Sequence, residues 1–134
     1  MTRHTKYQSR FAAAVLAASA FFPATVRAAD CDLAAGAKLF QDQQCAGCHT
    51  FVPDDFDKSG PNLHGVVGRK AGTANFGGYS DALKKTGITW DSAALDRWIT
   101  NPAAVAPGTA MPFAGLPDAQ ARATLVCYLT EKSR

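Results

Sequence analysis

Residues 45 to 49 read Cys45-Ala-Gly-Cys48-His49, which puts two thiols and an imidazole within five consecutive positions. A C-x-x-C-H run is the attachment signal for c-type haem. Each thiol adds across a porphyrin vinyl group as a thioether, and the adjacent imidazole reaches the iron because its backbone is pinned one residue from the second anchor. A chain tied to a large, flat, apolar disc has few folds open to it, because the remaining residues must wrap that disc. Met111, 62 positions after His49, is available as the second axial ligand. Iron held by His and Met carries electrons.

Two other readings of the motif are weaker. Cys45, Cys48 and His49 form half of a structural zinc site only if Cys31, Cys127 or His64 completes it, and zinc sites usually show a second close pair of ligands. Here every other cysteine or histidine stands alone in sequence. A thioredoxin-like redox motif should open a helix after a strand, and no strand pattern precedes Cys45.

The N-terminal segment has its own logic. Arg3, Lys6 and Arg10 precede an apolar run from Phe11 to Phe22, Pro23 breaks the run, and Val26-Arg27-Ala28 supplies small residues where a signal peptidase reads. Residues 1–28 are therefore expected to be a cleaved Sec signal peptide, and residues 29–134 a single domain in the periplasm. The run is too short to span a bilayer. Asp30 before Cys31 argues against a lipoprotein signal, no twin-arginine pair occurs, and an uncleaved anchor is the alternative.

Cleavage also changes the charge argument. Four of the 14 basic residues leave with the leader while all 11 acidic residues stay, so the formal charge of +3 becomes −1. Nothing in that balance suggests a nucleic-acid partner.

A domain of about 106 residues has a limited core, and this one is rich in irregular chain. Positions 50–78 hold Pro53, Pro61 and six glycines, and 101–117 hold four prolines. Loops this long in a compact domain need a job, and wrapping a large cofactor is such a job. Helical patterns remain legible. Leu33, Gly36, Ala37 and Phe40 share one face over 32–44, and Ala121, Leu125, Tyr128 and Leu129 form a stripe over 117–132, with Pro117 at the first position and Asp118 in the first turn. Residues 80–86, closed by Gly87, and 91–100, ending before Asn101-Pro102, predict two shorter helices. No alternating run predicts a strand. The fold class is all-α, with three to five helices.

From Gly36 through Tyr128 the chain resembles the class I cytochromes c of the mitochondrial and alphaproteobacterial type. The resemblance rests on CAGCH, GPNLHGVVGRKAG (60–72), YSDALKKTGITW (79–90), Asn101-Pro102, PGTAMPFAG (107–115) and the terminal LVCYL, in that order. It implies the cytochrome c fold, with long loops around one covalently bound haem c per chain and the two long helices crossing. It also implies that the Pro61 carbonyl orients His49 through Nδ1 and that Tyr79, Trp90 and Thr109 hydrogen-bond the haem propionates, with Arg69 supplying positive charge nearby. Core packing for Tyr79 and Trp90, and a solvated surface position for Arg69, are the plainer alternatives. Met111 is the only methionine left after the leader, which strengthens it as ligand. His64 is placed away from the iron.

Two positions depart from the family pattern. Trp98 stands where a tyrosine usually faces the methionine ligand, and Leu83 where asparagine is common. Losing a hydroxyl donor to the Met111 sulfur favours ferric iron, whereas a drier pocket disfavours the ferric charge, so the signs oppose. The indole N–H of Trp98 is an alternative donor. The lysines that ring the haem edge in relatives serving the mitochondrial oxidase are also missing, with Gln43, Gln44, Ala46, Ala103, Ala104, Ala110 and Phe113 in the flanks instead. That predicts an apolar contact patch with little electrostatic steering. Lys84 and Lys85 form a solvated helix face.

Cys31 and Cys127 remain after the haem thiols are assigned, and an exported compartment permits a disulfide between them. If the long helices cross as in the family, that bridge clamps the N-terminus to the last helix and stabilises by roughly 2 to 4 kcal/mol; free buried thiols are the alternative.

The expected function is that of a monomeric one-electron carrier, not an enzyme. It would shuttle between a quinol-oxidising complex or a periplasmic dehydrogenase and a terminal oxidase or photosynthetic reaction centre. The rivals are a haem peroxidase or gas-binding protein with a labile Met111, and a fixed cytochrome subunit of a periplasmic oxidoreductase complex.

Overall fold

The computed structural model describes Met1, residues 31–53 and residues 58–134. The expected leader, apart from Met1, lies outside the described residues. Six helices follow in order: α1 (Leu33–Asp42), α2 (Cys45–Cys48), α3 (Asp81–Lys85), α4 (Ser92–Thr100), α5 (Pro102–Val105) and α6 (Ala119–Lys132). The sequence predicted three to five. The two unpredicted elements, α2 and α5, are single turns, too short for hydrophobic periodicity to register. Among the described residues the only extended pairing is an isolated antiparallel bridge between Lys70 and Thr89, and no helix is long and apolar enough to cross a membrane.

Side-chain caps fix where the helices start. Asp32, Ser80, Asp91, Asn101 and Asp118 each accept a hydrogen bond from the backbone N–H three residues on. Each such cap is worth about 1 kcal/mol. Asp118 is thus the cap of α6 and Pro117 lies outside it, so the first helical residue, Ala119, falls two positions after the expected start at Pro117. Asn101 closes α4 and caps α5, whose first residue is Pro102, the position where a missing N–H costs nothing.

The two long helices, α1 and α6, pack against each other. Gly36 of α1 sits directly on Tyr128 of α6, so that a Cβ at position 36 would overlap the Tyr128 Cβ and approach Thr124 O at 3.2 Å. Beside this crossing, the rings of Phe40, Phe51 and Tyr128 form a cluster with centroids 5.1 to 5.8 Å apart. Cys31, just before α1, is joined to Cys127 of α6, with Cα atoms 5.8 Å apart, a normal span for a disulfide.

Helix α4 packs on the other side of α6. Buried Leu95, Trp98 and Ile99 of α4 share the core with Leu125, Val126 and Leu129 of α6. Arg122 latches the two together. Its Nε donates to Asp96 Oδ1 at 2.9 Å, while Nη1 donates to the carbonyls of Leu116 and Pro117 at 3.0 and 2.7 Å. The long 106–118 loop is thereby tied back to the helical frame, as it is by the Leu116 N–H donating to Ile99 O at 2.9 Å.

Replacing Gly36 with alanine sets two effects against each other. Helix propensity gains about 1 kcal/mol, but the added methyl meets a Cβ that cannot swing away without moving the α6 backbone, an overpacking cost of about 1–3 kcal/mol. The clash is expected to win. Denaturant unfolding of Gly36→Ala should show a lower midpoint at unchanged slope. A variant as stable as the wild type would mean that the crossing opens without cost.

Candidate functional site

Helix α1 ends where the site begins. Gln44 adopts the left-handed conformation, φ +60°, which few side chains favour, and so turns the chain into the single turn Cys45–Cys48. One turn of helix sets the two thiols at i and i+3, on one face. His49 then leaves in an extended conformation.

The next segment grips the imidazole. His49 Nδ1 lies 2.8 Å from Pro61 O, and since a carbonyl only accepts, Nδ1 carries the proton and Nε2 keeps its lone pair for a metal. Gly60 makes this approach feasible. A Cβ there would lie 2.6 Å from His49 Cε1 and 2.9 Å from Nδ1. Lys58 Nζ donates to Ala46 O at 3.0 Å, tying the same segment to the motif. Burial holds His49 below its ordinary pKa, the Pro61 carbonyl pulls it back up, and the Lys58 charge adds a lowering push. Neutral imidazole, the ligating form, is favoured. Burial also pushes the Cys45 thiol up, opposed by a backbone hydrogen bond and reinforced by Cys48.

Opposite this wall stands Met111, carried by the 106–118 loop. Buried Ala106 anchors the loop, the Thr109 N–H donates to Ala106 O at 2.9 Å, and Thr109 Oγ1 accepts from the Met111 N–H at 3.3 Å. Gly115, at φ +106°, lies so close to the Thr100 carbonyl that no Cβ fits. The Met111 sulfur accepts a hydrogen bond from Trp98 Nε1 at 3.3 Å.

Between the walls lies a cavity of about 220 Å³, lined by Cys45, Cys48, His49, Pro61, Tyr79, Leu83, Trp90, Trp98, Thr109, Met111 and Phe113 among others. Protein interiors carry few voids larger than a water molecule, so a space of this size is a binding site. Its donor set suits a covalently held haem: two thiols and an imidazole with a free lone pair on one wall, a thioether on the other, and mainly apolar surface between. Among the described residues the Trp90 indole N–H has no hydrogen-bond partner, yet no fully buried side-chain polar atom is left unsatisfied. Trp90 lines the cavity, so its donor is open to it.

Not every expected residue is on the wall. The Arg69 guanidinium donates to the carbonyls of His64 and Asn62 at 3.0 and 2.9 Å and is not among the lining residues. It braces the Gly-rich loop, to which the segment before α4 is tied by the Trp90 N–H donating to Arg69 O at 3.0 Å. His64 borders a separate surface hollow with Gly65, Val67, Thr130, Ser133 and Arg134. The zinc alternative is excluded by geometry. Cys31 and Cys127 are bonded to each other, and no group of three or more His, Cys, Asp or Glu among the described residues is placed to hold a metal ion. Sequence reasoning named Gln44 only as a flank of the haem edge and missed Lys58; nothing in a run of single letters marks a left-handed glutamine or a lysine that ties its loop to a carbonyl.

Gly60→Ala is expected to lower stability by about 1–3 kcal/mol through overpacking against His49. It should also raise the reduction potential of the haem-loaded protein, because an imidazole pushed off the Pro61 carbonyl is less basic and supports ferric iron less well. Redox titration checks the second effect; an unchanged potential would show that the Pro61 contact does not tune His49.

A family model described as cytochrome c matches residues 33–131. The chain is 48% identical over 102 residues to a cytochrome c of Theileria annulata, covering 76% of this chain and 87% of that protein. It is 45% identical over 94 residues to a cytochrome c2 of Rhodomicrobium vannielii, covering 70% and 74%. To a cytochrome c2 of Rhodoblastus acidophilus it is 44% identical over 97 residues, covering 72% and 89%.

Proposed function

The chain belongs to the cytochrome c family, a haem-based electron carrier with the all-α fold of that family, and we propose that it shuttles single electrons in the periplasm. Its donor would be a quinol-oxidising complex or a periplasmic dehydrogenase, and its acceptor a terminal oxidase or photosynthetic reaction centre. The observation that carries this reading is the pairing across one cavity of His49, oriented by Pro61, with Met111, oriented by Trp98.

Bound haem supplies a one-electron iron couple. The protein does the rest with positions already set. Cys45 and Cys48 would hold the haem through their thiols, and His49 and Met111 would offer a nitrogen and a sulfur to its iron from the two walls of the cavity. The His49 imidazole and the Met111 thioether are each braced by a hydrogen bond, to Pro61 O and from Trp98 Nε1. Tyr79, Trp90 and Thr109 line the cavity where propionate oxygens want donors, while Leu83 and Phe113 keep water out.

Export is supported by the leader pattern in residues 1–28 and by the joined Cys31 and Cys127, since disulfides persist in oxidising compartments. Bordering the cavity, Gln44, Ala110 and Pro112 are exposed and uncharged and Phe113 is half-exposed, while Ala103 and Ala104 are exposed and Ala46 half-exposed outside its lining. Lys58 brings a cation to this rim. Partners are expected to dock here by shape and apolar contact.

Two measurements test the reading. The ferric protein should show the weak near-red charge-transfer band of sulfur bound to iron, and the reduced protein should not take up carbon monoxide. A missing band with ready carbon monoxide binding would move the protein to the peroxidase or gas-binding class. The second-order rate with the native partner should fall by less than about tenfold from low to physiological salt, against the 10- to 1000-fold typical of strong steering. A steep salt dependence would sink the apolar docking face.

A further inference from the structure

Cys31 and Cys127 are joined across 96 positions, and neither lines the cavity between His49 and Met111. Their bridge is fastened at the helix crossing. Cys31 stands immediately before Asp32, the cap of α1, and Cys127 immediately before Tyr128, whose Cβ occupies the space over Gly36. Both cysteines are half-buried, open to a thiol reagent from outside.

The crossing is separable from the cavity. No residue of α1 or α6 lines the space of about 220 Å³, and of these two helices only Phe40, Leu125 and Leu129 border a smaller adjoining space of about 90 Å³. The two helices are held by Gly36 on Tyr128 and by the rings of Phe40, Phe51 and Tyr128, with starts fixed by Asp32 and Asp118. Leu83 of α3, Trp98 of α4 and Met111 of the 106–118 loop face the cavity instead, and α3 packs on no other helix. In a chain without haem those parts lack the group they close on, whereas the α1 and α6 contact loses little.

That contact has a cost of its own. Helices of 10 and 14 residues are marginal in water when alone, and bringing them together closes nearly the whole domain into a loop, at an entropy cost that grows with loop length. A bridge between 31 and 127 removes that cost from the unfolded chain beforehand. Each helix then has its partner at hand, and packing supplies most of helical stability.

We propose that the Cys31–Cys127 bridge forms before haem is attached and holds α1 crossed over α6 in the haem-free chain. Cys45, Cys48 and His49 are thereby presented at the end of a formed helix, a role that rests on haem attachment at those thiols. Oxidation captures a transient crossing: the two thiols give up two electrons and two protons, a sulfur–sulfur bond forms, and a disulfide-bearing oxidant is reduced to its dithiol. Of the ways to pair four cysteines, this one leaves Cys45 and Cys48 free for haem.

The test uses chain 29–134 with Cys45→Ala and Cys48→Ala, which cannot attach haem and has one possible bridge. Amide hydrogen exchange is compared with the bridge formed and after reduction by dithiothreitol, the two forms being told apart by mass. Amides of α1 and α6 should exchange more slowly in the bridged form by about tenfold or more, a small part of what a bridge closing so long a loop contributes. Gly36→Ala in the bridged chain should abolish that protection in both helices. A bridged chain without protected helices overturns the proposal, as does equal protection in both forms, and so does protection that survives Gly36→Ala. The order is read separately, by peptide mapping of alkylated wild-type chain from cells starved of haem. Finding Cys31 joined to Cys127 there supports the proposal; finding the bridge only in haem-loaded protein overturns it. If the near-red sulfur band is missing from the loaded protein, the carrier reading falls, while the exchange result, obtained without haem, stands by itself.

Discussion

The crossing of α1 over α6 sets the position of everything else. It depends on Gly36 having no side chain where Tyr128 passes. From that contact two lines of structure run to the two walls of the cavity. One follows α1 to its end, where Gln44 turns the chain and Cys45, Cys48 and His49 emerge. The other follows α6 to α4, through Leu125 and Leu129 and through Arg122 on Asp96, and arrives at Trp98. Met111 is placed by that second line. A shift of the crossing would therefore change the distance between the walls.

The two axial candidates are braced by hydrogen bonds of opposite character. His49 donates to a carbonyl, which makes the imidazole a richer donor and supports ferric iron. Met111 accepts from an indole, which makes the sulfur a poorer donor and supports ferrous iron. A couple set between two such partners is adjusted from either side without moving a ligand. Tryptophan at position 98 supplies that donor from helix α4.

The sequence made the site legible to an unusual degree because covalent haem attachment needs fixed residue types at fixed spacing. Cys45, Cys48, His49, Pro61 and Met111 all follow from motifs, and the structure sets them around one cavity. The four predicted helices are present, displaced by a residue or two at their ends, and α6 buries Val126 as well as the stripe of Leu125, Tyr128 and Leu129. Less visible were features that exist only across distance. Arg122 looks like an ordinary helix arginine until three acceptors from two other segments converge on it. Arg69, expected near the propionates, is bound to two carbonyls of its own loop.

What the sequence determined by itself was the chemistry and the class of fold, because thioether attachment, axial ligation and helix capping are read from residues that lie next to one another. The tertiary structure decided how that chemistry is tuned. Whether the Trp98 N–H faces the sulfur or the core, and whether Cys31 meets Cys127 across 96 positions, depends on how helices far apart in the chain are packed. Local spacing carries no information about such distances; the crossing at Gly36 does.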